Sequence, residues 1–492
     1  MCGVVGIFGN QETRVSLELY DSLIALQHRG QDSAGIITLN DGFHLHKKLG
    51  LVRNVFNEEV LSRLRGNMGI GHVRYSTVGD GTANDAQPFL ASSPYGIAIA
   101  HNGNVTNFEK LKKELAEKDL RQTNSGCDVE IILNVFASAL AKQKEGDFKE
   151  QVFKAVAEVH QRVQGSYSVV VIIAGKGMVA FRDPLGIKPL VIGKRGEEYI
   201  FASENVMFTT LGFEYQGDVQ AGECIFLDQE SKLHRKLITK KTHCPCIFEH
   251  VYFARPDALI DNVSVYKSRL RMGNKLSEKI KPLMDELKID VVVPVPSTST
   301  TTALTLAYDL GVKYREGLMK NHFIGRTFIM ESQEKRKKSV RYKLSPVELE
   351  IKDKNVLLLD DSIVRGNTSK EIVRLLKECG AKKVYFAVAA PPIKFPCVYG
   401  IDMPTRQELI AHNKESMEEI RKEIGADFLI YQELDDLVDC VHEGNPEVRE
   451  YCTACFSGKY PTNISAEELL ELEEERLVVR KKQKEQQMKI FK

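Results

Sequence analysis

The run Val356-Leu357-Leu358-Leu359-Asp360-Asp361-Ser362-Ile363-Val364-Arg365-Gly366-Asn367-Thr368 constrains the fold more than any other stretch of this chain. Consecutive apolar residues ending in two carboxylates read as a strand buried on both faces. The Ser, Gly and Thr that follow lead into a helical pattern from about Thr368 to Cys379, with Gly380 where a helix C-cap belongs. The same alternation surrounds the run. Apolar residues 290–295 precede a helical pattern over about 300–310, and apolar residues 383–390 come after. Strands that alternate with helices build a parallel sheet, because a parallel connection needs a crossover. Ligands of such sheets bind beyond the carboxyl ends of the strands. Loop amides and a helix N-terminus suit a phosphate. The two carboxylates Asp360 and Asp361 can accept hydrogen bonds from vicinal hydroxyls of a ribose.

The first 230 residues have another texture. Short apolar runs such as 96–100 and 168–173 alternate with Gly- and Asn-rich turns, and helical spacing is seen over 16–27 and 128–160. Strands with separate helices predict packed sheet and helix layers. A polar, Pro-containing stretch near 240–270 marks a domain boundary. The division is 2–235, 255–440 and a C-terminal segment 441–492. Ser465 and Glu468 fit a capping box that opens a charged helix. Beyond Arg480 there is little to bury, and a frayed or disordered tail is expected.

At 492 residues the chain is too long for one core. Its net charge of +1 gives no reason to expect binding to nucleic acid or an anionic membrane. No apolar run approaches the roughly 18–20 residues of a membrane span. No secretory signal is visible, so a cytoplasmic location is expected. Ten cysteines in that compartment point to catalysis or metal before disulfides. Cys452 and Cys455 form a C-x-x-C pair, and Cys244 and Cys246 a C-x-C pair. By spacing these four, with His243, could hold zinc. Four thiolates equally suit an iron–sulfur cluster. The dispersed cysteines read as small buried hydrophobes.

Cys2 opens the chain after Met1. Removal of Met1, usual before a small residue, leaves a cysteine with a free α-amine. A terminal amine titrates near roughly pH 7.7–8.0, so one residue then carries both nucleophile and base.

The string 356–368 resembles the phosphoribosyl pyrophosphate (PRPP) signature of type I phosphoribosyltransferases. That resemblance implies that Asp360 and Asp361 bind the ribose hydroxyls. Ser362, Val364, Arg365, Gly366, Asn367 and Thr368 would then hold the 5′-phosphate. The loop Pro294–Thr300 falls where that family places its pyrophosphate loop, with Ser297 in a position often acidic in relatives. One Mg²⁺ per subunit is implied, at Ser297, Asp360 and Asp361. The stretch 326–350, with Lys335-Arg336-Lys337-Lys338, Arg341 and Lys343, is long for a connection between strands. It is expected to be a lid whose charges neutralise departing pyrophosphate.

Four further motifs resemble the class II glutamine amidotransferases: Cys2-Gly3-Val4-Val5-Gly6, 27–35 around His28-Arg29-Gly30, Gly71–Thr77, and His101-Asn102-Gly103-Asn104. That family implies an N-terminal-nucleophile αββα sandwich, here followed by a phosphoribosyltransferase parallel-sheet α/β domain. Cys2 would be the nucleophile, with Asn102 and Gly103 stabilising the oxyanion. Arg74 would bind the α-carboxylate of glutamine and Asp128 its α-amine, while Arg29 would lie in a loop that closes over the site. Together the motifs resemble the iron–sulfur-containing branch of the glutamine PRPP amidotransferases. This branch implies one 4Fe–4S cluster per subunit on Cys246, Cys397, Cys452 and Cys455, with Cys244 a spectator. The cluster's role would be to tie the C-terminal segment to the core, since no substrate motif adjoins it in sequence. A homotetramer, purine nucleotides as feedback inhibitors and a closed ammonia channel are likewise implied. Other members of the branch carry a propeptide; with only Met1 ahead of Cys2, no such cut is expected. Other class II amidotransferases would need sugar-isomerase domains or an ATP pyrophosphatase loop, and 356–368 fits neither. A PRPP-sensing regulator without catalysis is opposed by intact Cys2, Arg74, Asn102 and Asp128.

Overall fold

In the N-terminal half of the computed structural model, two antiparallel sheets face each other. The structure describes residues 1–75, 82–321, 343–403 and 405–490, with side chains to residue 478. The first sheet runs in the order Glu214–Asp218, Val191–Arg195, Glu198–Ala202, Gly3–Phe8, Met68–Arg74, Ser33–Leu39, Phe43–Leu49. The second runs Leu233–Leu237, Glu223–Asp228, Gly177–Arg182, Gly165–Ile173, Ile97–Val105, Phe89–Ala91. Period-two alternation sends neighbouring side chains to opposite layers. Val4, Ile37 and Ile70 of the first sheet meet Ala98, Ala100 and Val170 of the second in one buried layer. Val5, Ile7 and Val73 instead pack outward against Leu19 and Leu23 of the helix Val15–Ala25. Val169 and Val171 pack outward among Val135, Phe136 and Val156 of the helices Asp128–Lys142 and Phe148–Arg162. The result is the expected αββα sandwich.

The helical pattern read over 128–160 is two helices. Gly146, at φ +87°, breaks it. Asp147 then caps the second helix, its side chain accepting from the Lys149 N–H at 3.1 Å.

The C-terminal half carries a five-stranded parallel sheet in the order Lys313–Tyr314, Val291–Pro294, Asn355–Asp360, Lys383–Val388, Phe428–Tyr431. Helices Val265–Ile280 and Thr300–Leu310 cover one face, and Asn367–Glu378 and Met417–Ile424 the other. Gly380 follows the helix Asn367–Glu378 at φ +85°, as its position predicted.

Of the expected lid, residues 326–342 with Lys335–Lys338 and Arg341 lie outside the described residues. The remainder forms the strand Leu344–Pro346, paired with Leu318–Lys320, and the helix Glu348–Ile351. The capping box forms: the Glu468 N–H donates to Ser465 Oγ at 3.1 Å, and the Ser465 N–H to Glu468 Oε2 at 2.9 Å. Where fraying was expected beyond Arg480, the backbone continues as the helix Ala466–Ile490. Lys, Gln and Glu are strong helix formers, and that propensity needs no burial. No helix among the described residues is long and apolar enough to cross a membrane.

Candidate active sites

Cys2 stands one residue ahead of the strand Gly3–Phe8 and is 8% exposed. Its Sγ lies 3.8 Å from the Tyr75 carbonyl. With Met1 attached, its nitrogen is an amide that donates to Asn102 Oδ1 at 3.2 Å. Met1 is itself buried, with Lys188 Nζ 2.9 Å from its Sδ. Asn102 is fully buried, and its Nδ2 has no partner among the described residues. Leaving such a donor unpaired costs about 1–3 kcal/mol. The cost is offset where the donor is held for a charge that develops during reaction. Gly103 follows, in backbone so close to the neighbouring strand that a Cβ there would lie 2.0 Å from the Ser166 carbonyl oxygen.

Arg74 ends the strand Met68–Arg74, buried, 3.8 Å from Asp85. Asp128 is the first residue of the helix Asp128–Lys142, and its Oδ2 accepts from the Val105 N–H at 3.0 Å. Burial pushes its pKa up. His101, the Val105 N–H and Arg74 outweigh that and hold it below the usual carboxylate value. The structure thus brings Cys2 and Arg74, at neighbouring strands of the first sheet, together with Asn102 and Gly103 of the second sheet and with Asp128 at the start of its helix. Ser76 and Thr77 of the same motif lie outside the described residues.

Arg29 requires a correction. It is not in a loop free to close. It sits buried in the short helix Gln27–Arg29, donating from Nε to the Cys2 carbonyl at 3.0 Å. Its guanidinium pairs with Glu204 and, through both terminal nitrogens, with Glu249 at 2.9 and 3.1 Å. Burial opposes the charge, but Glu249 and Glu204 more than compensate and keep Arg29 cationic. Neither glutamate stood out in the sequence, because each lies more than 170 residues away (175 and 220 residues).

At the second site Asp360 ends its strand and Asp361 follows, both buried. Burial and the neighbouring Asp361 push Asp360 well above its usual pKa. Burial pushes Asp361 up to about 6, against the pull of Ser362 and Arg269. Two buried carboxylates that resist ionising are short of donors and positive charge, which a ribose and a cation would supply. Ser362 Oγ donates to Asp361 Oδ1 at 2.6 Å. Gly366, at φ +76°, turns the chain into the helix Asn367–Glu378. The amides of that helix's first turn have no intrahelical acceptor, so Asn367 and Thr368 stand where an anion would bind. The Val364 carbonyl accepts from the Ile410 N–H at 3.0 Å. Arg365 is exposed and pairs with Glu408 at 3.0 Å. Ser297 is exposed too; of the pyrophosphate loop, Ser299 Oγ lies 3.5 Å from Asp360 Oδ1 and Thr298 bonds Asp361. Sequence reading also missed buried Arg269, which donates to the His250 and Ala254 carbonyls and lends its charge to Asp361.

Cys246, Cys397, Cys452 and Cys455 are buried, free thiols in one apolar cluster. Backbone pairing brings them together: Cys246 bridges Cys452 in parallel, and the Lys394 and Phe395 N–H groups both donate to the Cys455 carbonyl at 3.0 Å. Among the described residues no group of His, Cys, Asp or Glu is arranged to hold a single metal ion. Of the alternative zinc candidates, His243 faces Asp261 at 3.5 Å. The four thiols lie close enough to feel one another's charge within that apolar cluster, and a set of four thiolates is the donor chemistry an iron–sulfur cluster takes.

The cysteine region also adjoins a substrate motif, contrary to the expectation. Asn104 Nδ2 donates to the Val398 carbonyl at 2.9 Å, and Ser166 Oγ to the Tyr399 carbonyl at 3.0 Å. Gly400, at φ +95°, lies so close that a Cβ would sit 2.7 Å from the Gly103 carbonyl oxygen. The segment that carries Cys397 therefore forms a wall behind Asn102 and Gly103. Gly400→Ala is expected to lower glutamine-dependent turnover about 10-fold or more, because small misplacements at a catalytic centre are costly. Turnover with added ammonia should change less; parallel assays with the two nitrogen sources check this.

Similarity to known proteins agrees with this layout. The glutamine amidotransferase domain family matches residues 72–210, and the phosphoribosyl transferase domain family residues 263–430. The chain is 52% identical to the amidophosphoribosyltransferase of Pseudomonas aeruginosa, over 94% of this chain and 93% of that protein. This chain belongs to the amidophosphoribosyltransferase family. The family member from Saccharomyces cerevisiae is 44% identical over 97% of this chain and 95% of that protein. Among solved structures, the Bacillus subtilis glutamine PRPP amidotransferase complexed with ADP and GMP superposes with a TM-score of 0.84. That match has 36% identity and covers 94% of this chain and 98% of the other. The glutamine amidotransferase match precedes the phosphoribosyl transferase match, the order in which the two sites occur here.

Proposed function

We propose that the chain converts glutamine and PRPP to 5-phosphoribosylamine, glutamate and pyrophosphate, the first committed step of de novo purine synthesis. The observation that carries this reading is the pairing in one chain of a buried Cys2–Asn102 site with the Asp360–Thr368 loop. With Met1 removed, the Cys2 α-amine takes the thiol proton, and the thiolate attacks the glutamine side-chain amide. Asn102 Nδ2 and the Gly103 N–H stabilise the oxyanion. Arg74 and Asp128 hold the carboxylate and amine of the substrate. Ammonia departs, a γ-glutamyl thioester remains, and water releases glutamate. At the second site ammonia attacks C1 of PRPP and pyrophosphate leaves. Asp360 and Asp361 hold the ribose hydroxyls, and residues 362–368 hold the 5′-phosphate.

One Mg²⁺ per subunit, held near Asp360 and Asp361 together with pyrophosphate oxygens, would supply charge neutralisation. A 4Fe–4S cluster, one per subunit on Cys246, Cys397, Cys452 and Cys455, would act as a structural cross-link. A homotetramer in the cytoplasm completes the proposal. Purine nucleotides act as feedback inhibitors, which the ADP and GMP of the Bacillus subtilis structure support.

The test is glutamate release by anaerobically purified protein, with and without PRPP and Mg²⁺. Strong stimulation by PRPP with equimolar pyrophosphate is the expected result. Release indifferent to PRPP would mean a different acceptor, and no release would mean a protein that only senses PRPP. Acid-labile sulfide near four per chain checks the cluster, and light scattering of the eluted enzyme checks the tetramer.

A further inference from the structure

Asp128 does not stand alone. Gln87 Oε1 accepts from the His101 N–H at 2.8 Å, which fixes the orientation of the Gln87 amide. Its Nε2 is therefore a donor, and it faces His101 Nδ1 at 3.2 Å. A ring nitrogen that accepts carries no proton, so the His101 proton sits on Nε2. That Nε2 lies 3.3 Å from Asp128 Oδ2. The His101 backbone is held as well: its carbonyl lies 3.1 Å from His72 Nε2. All three side chains, Gln87, His101 and Asp128, are buried. Asp128 Oδ2 thus accepts from the Val105 N–H and lies within ion-pair reach of His101 Nε2, whose N–H is not aligned for a full hydrogen bond. Among the described residues Oδ1 has only a 3.9 Å contact from the Cys127 thiol.

From this we infer that His101 is a positioning residue for substrate recognition. Gln87 sets its tautomer, and His101 turns Asp128 so that Oδ1 is presented to the α-amine of glutamine. The inference rests on the reading of Asp128 as the amine-binding carboxylate. It assigns a role to the one residue of His101-Asn102-Gly103-Asn104 whose side chain touches neither the nucleophile nor the second domain in the contacts above.

The test compares glutamine with glutaramate, which has the same amide and carboxylate but no α-amine. In the full-length enzyme with PRPP present, His101→Leu is expected to raise KM for glutamine about 10- to 100-fold, the range of a hydrogen bond to a charged group. Hydrolysis of glutaramate should fall much less, so the preference for glutamine collapses. His101→Gln, whose terminal amide can still donate toward Asp128, should restore most of that preference. Asp128→Asn should abolish it, and adding His101→Leu to Asp128→Asn should cost little more. Synthesis with added ammonia reports whether each variant is folded. If the leucine variant makes product from ammonia yet keeps the wild-type preference for glutamine, the inference is overturned. The same holds if the glutamine variant behaves like the leucine variant. If Asp128→Asn leaves the preference intact, the amine-binding reading itself fails.

Discussion

Replacing Cys2 with alanine is expected to abolish glutamine hydrolysis, with a loss on the order of 10⁴-fold or more, as for other covalent nucleophiles. Product formation from added ammonia should survive. The two outcomes separate because the nucleophile and the Asp360–Thr368 loop lie on different sheets. The alanine removes only a thiol that is 8% exposed, so the strand Gly3–Phe8 and its pairing with Met68–Arg74 should persist. Glutamate and pyrophosphate are measured side by side with glutamine, then with an ammonium salt at pH 8. Loss of both activities would mean that Cys2 also supports the second site. Retention of both would move the glutaminase nucleophile elsewhere.

Arg29→Met is expected to be the most damaging single change to stability. It leaves Glu204 and Glu249 buried without their shared cation, and breaking a buried pair in this way costs about 3–5 kcal/mol. A fall on the order of 10 °C in the first melting transition follows. The pH dependence has a definite sign. Burial raises Glu204, but His28 and Arg29 bring it down to about 2, below its ordinary 4.5. That depression contributes stability above the ordinary value, and the contribution is lost as pH falls through about 2. Calorimetry of both proteins between pH 7 and about pH 2 measures the difference. Because Arg29 also donates to the Cys2 carbonyl, surviving variant protein should be a poor glutaminase.

The parts that were legible in the sequence were contiguous. The strand, paired carboxylates, glycine and helix of 356–368 lie within thirteen residues, so each element could be read against the next. Cys2 and Asn102 were legible through motifs that carry their own chemistry. The break at Gly146-Asp147 was also visible, but the apolar spacing on either side masked it. What could not be read were pairings over long separations. Glu249 meets Arg29 across 220 residues, and Asn104 meets Val398 across 294. That Ser299 approaches Asp360 while Ser297 is exposed has a more local reason: four serines and threonines crowd that loop, and only its backbone path decides which ones turn inward.

The contact between Gly400 and Gly103 bears on how such a chain can change over time. A glutaminase half grafted onto a different acceptor domain would lose the carbonyls of Val398 and Tyr399 that Asn104 and Ser166 use. Its oxyanion strand would face solvent or a foreign surface. The two halves are therefore not interchangeable modules joined by a tether. Substitutions at 398–400 and at 102–104 should be inherited together, and a fragment ending near residue 235 should be a weaker glutaminase than the whole chain.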